Sequence, residues 1–372
     1  MLGAKVLPPN SRIRVLVVDD SVVIRRLVTH ALAEDEQIEV VGAAPNGVIA
    51  LQRIPQFKPD VLTLDIEMPE MDGLETLRQI RKLYPELPVI MFSTLTERGA
   101  TATLEALSLG ASDYVAKAAN VGSLEKSMAS LRSELIPKIK QFFRIGALDQ
   151  PAQSAPAASA PAVRPVPAKV RPGGTGVLKP RVVAIGVSTG GPNALAEVMP
   201  MFPKDFSLPI LIVQHMPPLF TRLLAERLDS ISAIRVEEVR EGSRLEPGKA
   251  LLAAGGYHMR VRKKEGAVVA TMDQEPPENS CRPAVDVTFR SIAEVYGGGA
   301  IAVMLTGMGN DGLRGTEVLK GMGAYVIAQD EASSVVWGMP GCVVKSGLAN
   351  ATVDLTCVVP EILKQSPMAG KQ

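Results

Sequence analysis

A serine flanked by glycines stands where a predicted strand passes into a predicted helix. Residues 184–193 read Ala-Ile-Gly-Val-Ser-Thr-Gly-Gly-Pro-Asn, and the proline suits the first turn of a helix. The hydroxyl of Ser188 would lie beside unpaired N–H groups of the helix N-terminus, which can stabilise an oxyanion. The Gly-x-Ser-x-Gly pattern also occurs in serine hydrolases. A phosphate-binding loop or a tight structural turn has the same local pattern, so all three interpretations stay open.

The chain has three histidines from which a general base can come. His30 lies in a predicted helix of the first half, where we interpret it as a helical residue without a catalytic role. His258 lies near a turn between predicted hairpin strands, which favours a structural or substrate-positioning role. His215 leaves the carboxyl end of a strand expected to neighbour the Ser188 strand, so we favour it as the base.

A carboxylate is needed to orient the imidazole and to stabilise its protonated form. The leading candidate is Asp311, in the loop Leu-Thr-Gly-Met-Gly-Asn-Asp-Gly that follows an apolar strand. Glycines in that loop permit unusual backbone dihedrals and leave N–H groups free to face a substrate. Asp311 can equally be the N-cap of a predicted helix over 313–320, and Asp286 is a rival acid that more simply opens a helix.

Charged side chains also follow the predicted strands of the first half. Asp19 and Asp20 end the first strand, Asp65 ends the third, Ser93 the fourth and Lys117 the fifth. The carboxyl ends of parallel strands meet at one edge of a sheet, so three carboxylates and one ammonium gather there. Carboxylates this close repel one another, and Mg²⁺, which prefers carboxylate oxygen and engages phosphoryl groups, would relieve the repulsion.

Two α/β units must position these residues. In the first half, near-continuous apolar runs alternate with helical patterns, which indicates a buried parallel sheet. The predicted strands there cover 14–18, 38–42, 61–64, 89–92 and 114–116, and the predicted helices include 22–33, 73–83 and 101–109. We therefore predict a doubly wound (βα)5 domain.

A segment rich in proline and alanine divides the chain, and such composition favours an extended, flexible linker. Beyond it, apolar strands are predicted at 181–187, 209–213 and 300–305, with a helix at 193–199. We predict the first domain over 12–143, the linker over 144–180 and a mostly parallel, Rossmann-like α/β domain with a β-hairpin over 181–367.

Composition limits the class of protein. A formal net charge of +1 in 372 residues provides no broad basic surface, so nucleic acid is not an expected partner. No apolar run reaches the length of a membrane span, and the first ten residues lack a signal-peptide core. We expect a cytoplasmic protein without membrane insertion, and reduced thiols at Cys281, Cys342 and Cys357.

Three motifs of the first domain resemble the response-regulator receiver family: Val17-Val-Asp-Asp-Ser, Leu64-Asp-Ile-Glu-Met-Pro-Glu-Met-Asp-Gly and Gly110-Ala-Ser-Asp-Tyr-Val-Ala-Lys. The resemblance implies that Asp65 accepts a phosphoryl group from a histidine kinase. It also implies that Asp20, Asp65 and the Glu67 carbonyl hold Mg²⁺, with Asp19 completing the acidic pocket.

By the same resemblance, Ser93 and Lys117 contact the phosphoryl oxygens, and Tyr114 is the aromatic residue whose rotamer follows the signalling state. Ala118 departs from the family, which commonly has proline after the lysine.

Motifs of the second domain closely resemble the catalytic domain of the chemotaxis protein-glutamate methylesterase (CheB) family. They are Gly186-Val-Ser-Thr-Gly-Gly-Pro, Val213-Gln-His-Met, Arg282-Pro-Ala-Val-Asp and Leu305-Thr-Gly-Met-Gly-Asn-Asp-Gly. The resemblance implies hydrolysis of glutamate γ-methyl esters, and deamidation of certain glutamines, on methyl-accepting chemotaxis receptors. It makes Ser188 the nucleophile, His215 the base and Asp311 the orienting acid, with oxyanion donors at Thr189 and Met308. No cofactor is expected in this domain.

The two resemblances together predict an esterase that a kinase controls. We expect the receiver to block the active site until Asp65 is phosphorylated, and the protein to be recruited to receptor arrays. Two alternatives remain: a phosphorylation-regulated binding module in which Ser188 only shapes a surface, and a hydrolase of small esters or amides that carries a receiver.

Overall fold

The structure, a computed structural model, describes residues 5–94, 96–117, 124–145 and 179–367. Ala118 and all but the ends of the predicted linker lie outside these ranges. Within them, no helix is both long and apolar enough to cross a membrane.

The first domain is the predicted α/β domain. Its strands are β1 (Lys5–Leu7), β2 (Ile13–Val18), β3 (Ile38–Ala44), β4 (Val61–Asp65), β5 (Val89–Ser93), β6 (Asp113–Ala116) and β7 (Phe143–Ile145). Its helices are α1 (Val22–Ala33), α2 (Gly47–Phe57), α3 (Gly73–Leu83), α4 (Glu97–Ser108) and α5 (Leu124–Lys140).

Five strands of this domain form one parallel sheet in the order β3-β2-β4-β5-β6. The strands are apolar because helices cover both faces, and the order reverses at β2, as in doubly wound folds. This reversal opens a crevice at the carboxyl ends of β2 and β4, where Asp19 and Asp65 lie. The sequence did not predict the separate parallel pair of β1 with β7.

The second domain contains β8 (Val182–Val187), β9 (Ile210–Gln214), β10 (Arg235–Glu238), β11 (Ser243–Arg244), β12 (Lys249–Leu252), β13 (His258–Lys264), β14 (Ala267–Asp273), β15 (Ala300–Met304), β16 (Tyr325–Gln329) and β17 (Ala351–Val353). Its helices are α6 (Gly191–Val198), α7 (Phe220–Ile231), α8 (Val285–Tyr296), α9 (Leu313–Gly321), α10 (Met339–Lys345) and α11 (Val358–Gln365), with short 3-10 turns at Met199–Met201 and Leu355–Cys357.

Seven of these strands form a parallel sheet in the order β10-β12-β9-β8-β15-β16-β17. Strand β8 is central, with β9 on one side and β15 on the other. The loops that leave β8, β9 and β15 therefore meet at one edge, and they carry Ser188, His215 and Asp311. The predicted hairpin is β13 with β14, and β11 extends it to a three-stranded antiparallel sheet.

Two helices begin earlier than predicted because a local turn caps them. Helix α4 begins at Glu97 rather than 101, since the Thr96 side chain accepts a hydrogen bond from the Gly99 N–H. Helix α6 begins at Gly191 rather than 193, after Gly190 with a φ of 77°. Glycine adopts such positive φ values at little cost, so the chain turns sharply between Ser188 and the helix.

The two domains pack directly against each other. Helix α4 of the first domain lies on α6 and α7 of the second. The Arg227 guanidinium donates to the Leu104 carbonyl at 2.7 Å, and the Asn193 amide donates to the Leu107 carbonyl at 2.7 Å. Buried apolar side chains of the two domains also form one continuous cluster through this contact.

Candidate active site

Backbone contacts fix Ser188 at the end of β8. Its N–H donates to the Thr306 carbonyl at 3.0 Å, and its carbonyl accepts from the Gly191 N–H at 2.8 Å and the Gln214 amide at 2.9 Å. Gly307 lies so close that a Cβ there would come within 2.8 Å of the Ser188 Cβ. A glycine is therefore required in the neighbouring loop for the serine to occupy this turn.

An ion pair joins the base and acid candidates. His215 Nε2 lies 2.7 Å from Asp311 Oδ2, and the side chains are 12% and 3% exposed. With Nε2 engaged in this way, Nδ1 is the imidazole nitrogen that remains for a proton from a nucleophile. Among the described hydrogen bonds, none joins the Ser188 hydroxyl to His215, so proton transfer requires that hydroxyl to come within reach of Nδ1.

The Asp311 carboxylate is held by the N-terminus of α8. The backbone N–H groups of Val285 and Asp286 donate to it at 2.6 and 3.1 Å, and the Gly312 N–H donates at 3.0 Å. Helix N-terminal N–H groups and the helix dipole stabilise such a negative charge. The interpretation of Asp311 as an N-cap is wrong, because Gly312 precedes α9 and makes no side-chain cap.

The charges in this site determine its proton affinities. Burial alone would lower the pKa of His215, but the neighbouring Asp311 and Cys281 side chains outweigh burial and raise that pKa to about 10. Burial alone would raise the pKa of Asp311, but His215 and the helix N–H groups lower it below its usual value. The site therefore stabilises an imidazolium beside a carboxylate.

Sequence reasoning missed Asn279 and Cys281, which lie in the loop between β14 and α8. The Asn279 amide donates to Asp311 Oδ1 at 2.8 Å and to Asp286 Oδ2 at 3.0 Å. Asp286, the rival acid, does not contact His215 among the described hydrogen bonds. Both missed residues immediately precede the Arg282-Pro-Ala-Val-Asp motif, which was the available signal that the loop belongs to the site.

Two backbone N–H groups near Ser188 are free to bind an oxyanion. The N–H groups of Thr189 and Met308 donate no hydrogen bond among those described. Thr189 lies directly after Ser188, and Met308 lies in the loop after β15 that touches it. Unpaired donors at such a turn are what an oxyanion hole requires.

A cavity of about 330 Å³ contains the site, and both domains line it. The second domain contributes Ser188, Thr189, Met308 and the His215–Asp311 pair. The first domain contributes Leu107, Asp113, Tyr114, Glu134 and Lys138.

The first domain makes specific contacts at this cavity. The Thr189 hydroxyl donates to Asp113 Oδ2 at 3.1 Å. The Tyr114 ring stacks on Phe220 with centroids 5.0 Å apart and an angle of 8° between the rings. Tyr114, predicted as a switch residue, is thus buried against the second domain in this conformation.

The acidic residues of the first domain gather as expected at the carboxyl edge of its sheet. Ligand atoms of Asp19, Asp20 and Asp65 lie within 4.8 Å of one another, and Lys117 Nζ lies 2.7 Å from Asp65 Oδ2. Asp19 Oδ2 forms an ion pair with Lys117 Nζ at 3.0 Å and has no other partner among the described residues, so a metal cation would compete with Lys117 for it. The donor set fits Mg²⁺.

Burial raises the pKa of Asp65 to about 6, with Lys117 opposing this rise and Asp19 adding to it. Glu67 lines the same pocket, and its carboxylate faces Arg98 at 3.7 Å. The Ser93 hydroxyl donates to the Gly99 carbonyl at 3.0 Å. Of the predicted phosphorylation-site residues, Asp20, Asp65, Glu67 and Lys117 line one small pocket.

The two remaining histidines lie elsewhere. His30 is exposed on α1, and His258 is buried at the start of β13, where Nε2 contacts the Pro276 carbonyl at 3.1 Å. The cysteines form no disulfide among the described residues.

Comparison with known families divides the chain into the same two domains as the structure does. Residues 183–362 match the CheB methylesterase family, and residues 15–129 match the response regulator receiver domain. A crystal structure of the Thermotoga maritima CheB methylesterase catalytic domain is 41% identical, with a TM-score of 0.49, over 50% of this chain and 99% of that one.

Full-length relatives match both domains together. A "Protein-glutamate methylesterase/protein-glutamine glutaminase" of Trichodesmium erythraeum is 49% identical over 95% of this chain and 99% of its own length. One of the same name from Nocardioides sp. is 50% identical over 95% of each. This chain belongs to the protein-glutamate methylesterase/protein-glutamine glutaminase family, in which a response-regulator receiver precedes a CheB methylesterase domain.

Proposed function

We propose that this protein hydrolyses glutamate γ-methyl esters on methyl-accepting chemotaxis receptors by a Ser188–His215–Asp311 mechanism. The observation that carries the proposal is the meeting of these residues at one sheet edge, in one cavity, with His215 2.7 Å from Asp311. Family membership supports the reaction class. We propose 12–143 as the receiver domain, 144–180 as the linker and 181–367 as the catalytic domain, with the β1–β7 pair extending the first domain slightly beyond these bounds.

In the first half of the reaction, the Ser188 oxygen attacks the ester carbonyl while His215 Nδ1 accepts the hydroxyl proton. The carbonyl oxygen becomes an oxyanion that the N–H groups of Thr189 and Met308 stabilise. Asp311, which keeps its negative charge, stabilises the imidazolium. Collapse then breaks the bond between the carbonyl carbon and the methoxy oxygen, and the imidazolium gives its proton to the departing methoxide, which leaves as methanol.

In the second half, His215 accepts a proton from water, and the hydroxide attacks the acyl-enzyme carbonyl. The serine oxygen leaves with that proton, and a glutamate carboxylate remains on the receptor. A glutamine side chain can follow the same path, with ammonia leaving in place of methanol. The names of the relatives support this second substrate.

We propose that the receiver controls access to this chemistry. A chemotaxis histidine kinase supplies the phosphoryl group to Asp65, with Asp19, Asp20, Asp65 and the Glu67 carbonyl as the Mg²⁺ pocket. Bound Mg²⁺ would neutralise charge on the phosphoryl oxygens. Ser93 and Lys117 then bind those oxygens, and Tyr114 changes its rotamer.

These changes would weaken the contacts of Asp113 and Tyr114 with the second domain, and the cavity would open. The shift is limited by the difference in interface free energy between the two states. We propose that the opened enzyme works at receptor arrays, where its substrates are concentrated.

Methanol release from methylated receptor membranes tests the proposal. We expect the Ser188→Ala variant to lose release by at least about a thousandfold, since such a loss is typical of a catalytic nucleophile. The matched control is Ser207→Ala, because Ser207 lies on the surface and donates to the Pro367 carbonyl. Persistent methanol release from Ser188→Ala would contradict the mechanism.

Two further outcomes identify the alternatives. Absence of methanol release from every form, including the phosphorylated one, would favour a binding module. A small ester that is hydrolysed far faster than receptor, and outcompetes it, would favour a general hydrolase.

A further inference from the structure

Asp286 is a buried carboxylate that the proposed mechanism does not use. It is 1% exposed in the first turn of α8, and its Oδ1 accepts from the Gly315 N–H at 2.6 Å. Its Oδ2 accepts from the Asn279 amide at 3.0 Å. A buried charge is costly unless hydrogen bonds satisfy it. The question is therefore what a buried carboxylate at Asp286 contributes to the neighbouring active site.

Asn279 links this carboxylate to the proposed catalytic acid. Its Nδ2 donates one hydrogen to Asp286 Oδ2 and the other to Asp311 Oδ1, at 2.8 Å. Its backbone has a φ of 51°, a conformation that asparagine tolerates better than most residues. Asn279 thus combines the right backbone with a side chain that carries two donors on one nitrogen.

The two carboxylates determine which way the amide points. Both neighbours are acceptors, so turning the amide over would place its oxygen against a carboxylate and lose both hydrogen bonds. Asp286 therefore keeps Nδ2 towards Asp311. With Oδ1 of Asp311 held by Asn279, its Oδ2 faces His215 Nε2 at 2.7 Å.

We propose that Asn279, held in its donating orientation by Asp286, is a positioning residue that aims the Asp311 carboxylate at His215. This inference rests on the proposed function and adds two residues to it. Neither residue touches the reacting atoms, and both act through Asp311. The other charged side chains beside the cluster, Glu278 and Arg290, pair with each other at 2.5 Å.

The Asn279→Asp variant tests the role of the amide. It keeps the size of the side chain and the tolerance for positive φ, but it places an acceptor where Asp311 needs a donor. We expect kcat for receptor demethylation to fall about tenfold to hundredfold, the range usual for outer-shell partners, with KM nearly unchanged. The control is Glu275→Gln, an exposed change in the same loop.

The Asp286→Asn variant tests the orientation argument. Its new amide would favour the turned-over Asn279, so we expect a similar loss of kcat. Because Asp286 acts through Asn279, the double variant should lose no more than Asn279→Asp alone. If the decrease in kcat of the double variant equals the product of the decreases in the two single variants, the role given to Asp286 is wrong.

Proton NMR provides a readout independent of turnover. A far-downfield imidazole N–H resonance is expected for His215, and the chain has only two other histidines to confuse its assignment. Asn279→Asp and the less drastic Asn279→Gly should both shift it, while Glu275→Gln should not. An unchanged resonance and unchanged kcat in folded variants would overturn the inference.

The two proposals fail in different ways. If Ser188→Ala abolishes methanol release and Asn279→Asp does not reduce it, the proposed function stands and the inference fails. If the resonance shifts but Ser188→Ala stays active, the mechanism fails and the arrangement of Asn279 and Asp311 stands.

Discussion

At the scale of single residues, the proposed catalytic acid depends on a helix to which it does not belong. Asp311 precedes α9, yet its carboxylate is bound by the N–H groups of Val285 and Asp286 at the start of α8. His215 and those N–H donors together lower the pKa of Asp311 and keep it ionised in a site where burial opposes the charge. The carboxylate can then stabilise an imidazolium at His215.

The pH dependence of the reaction follows from this charge. The base must be neutral to accept a proton, and the pKa of His215 is raised to about 10. We therefore expect kcat of the phosphorylated enzyme to rise with pH through neutrality towards that value. Asp311→Asn should lower the pKa of His215 and move this rise to lower pH, with kcat reduced by about 10⁴. Rates of methanol release across pH check this, and a pH-independent wild-type rate would contradict it.

Cys281 also raises the pKa of His215, so its thiol can be tested separately. We expect Cys281→Ala to move the rise in kcat to lower pH without abolishing activity. The control is Cys357→Ala, because Cys357 is exposed and remote from the cavity. The same pH series measures both variants, and identical profiles would exclude a contribution from the thiol.

At the scale of elements, the receiver holds the second domain through α4. Arg227 on α7 donates to the Leu104 carbonyl of α4, and Arg222 on α7 pairs with Glu97 at 2.9 Å. These contacts lie outside the cavity. They therefore contribute to closure without taking part in the chemistry.

The Arg227→Ala variant separates closure from catalysis. A hydrogen bond to a charged group contributes about 1.5–3 kcal/mol, so its loss should raise the unphosphorylated rate by roughly tenfold to a hundredfold. The phosphorylated rate should change little. Arg235→Ala is the control, because Arg235 is exposed on the edge strand β10. An unphosphorylated rate equal to that of wild type would show that this contact does not hold the closed state.

Elements were predictable where a repeating pattern specified them. Apolar runs located the central strands of both sheets, and parallel pairing then placed Ser188, His215 and Asp311 at one edge. The start of α4 was missed because the Thr96 cap is a local hydrogen bond without periodic signal. Asn279 was missed because its role depends on two carboxylates that only the tertiary fold brings to it.

At the scale of the whole molecule, one cavity is built from two domains. Asp113 of the receiver accepts a hydrogen bond from Thr189, the residue next to Ser188. A second contact joins Arg144 to Glu331 at 2.5 Å, and Val336 packs into the receiver core. Closure is therefore shared between the active-site side and the loop after β16.

Removal of the receiver should expose the site permanently. We expect a chain beginning at residue 179 to demethylate receptors faster than the unphosphorylated full-length protein. Asp65→Asn in the full chain should remain slow in the presence of kinase and ATP. Initial rates of methanol release measure all three forms. A truncated chain no faster than the unphosphorylated protein would show that the receiver does not block access.

The cavity shared by both domains has a pharmacological consequence. A small molecule that filled its 330 Å³ and contacted both walls would bind the conformation with the two domains in contact more tightly than an opened one. By linkage, such a compound would stabilise the contact between the domains, and phosphorylation that separates them would weaken its affinity. It would hold the receiver and the esterase domain together, and its measured affinity would decrease as the phosphorylated fraction of the protein increases.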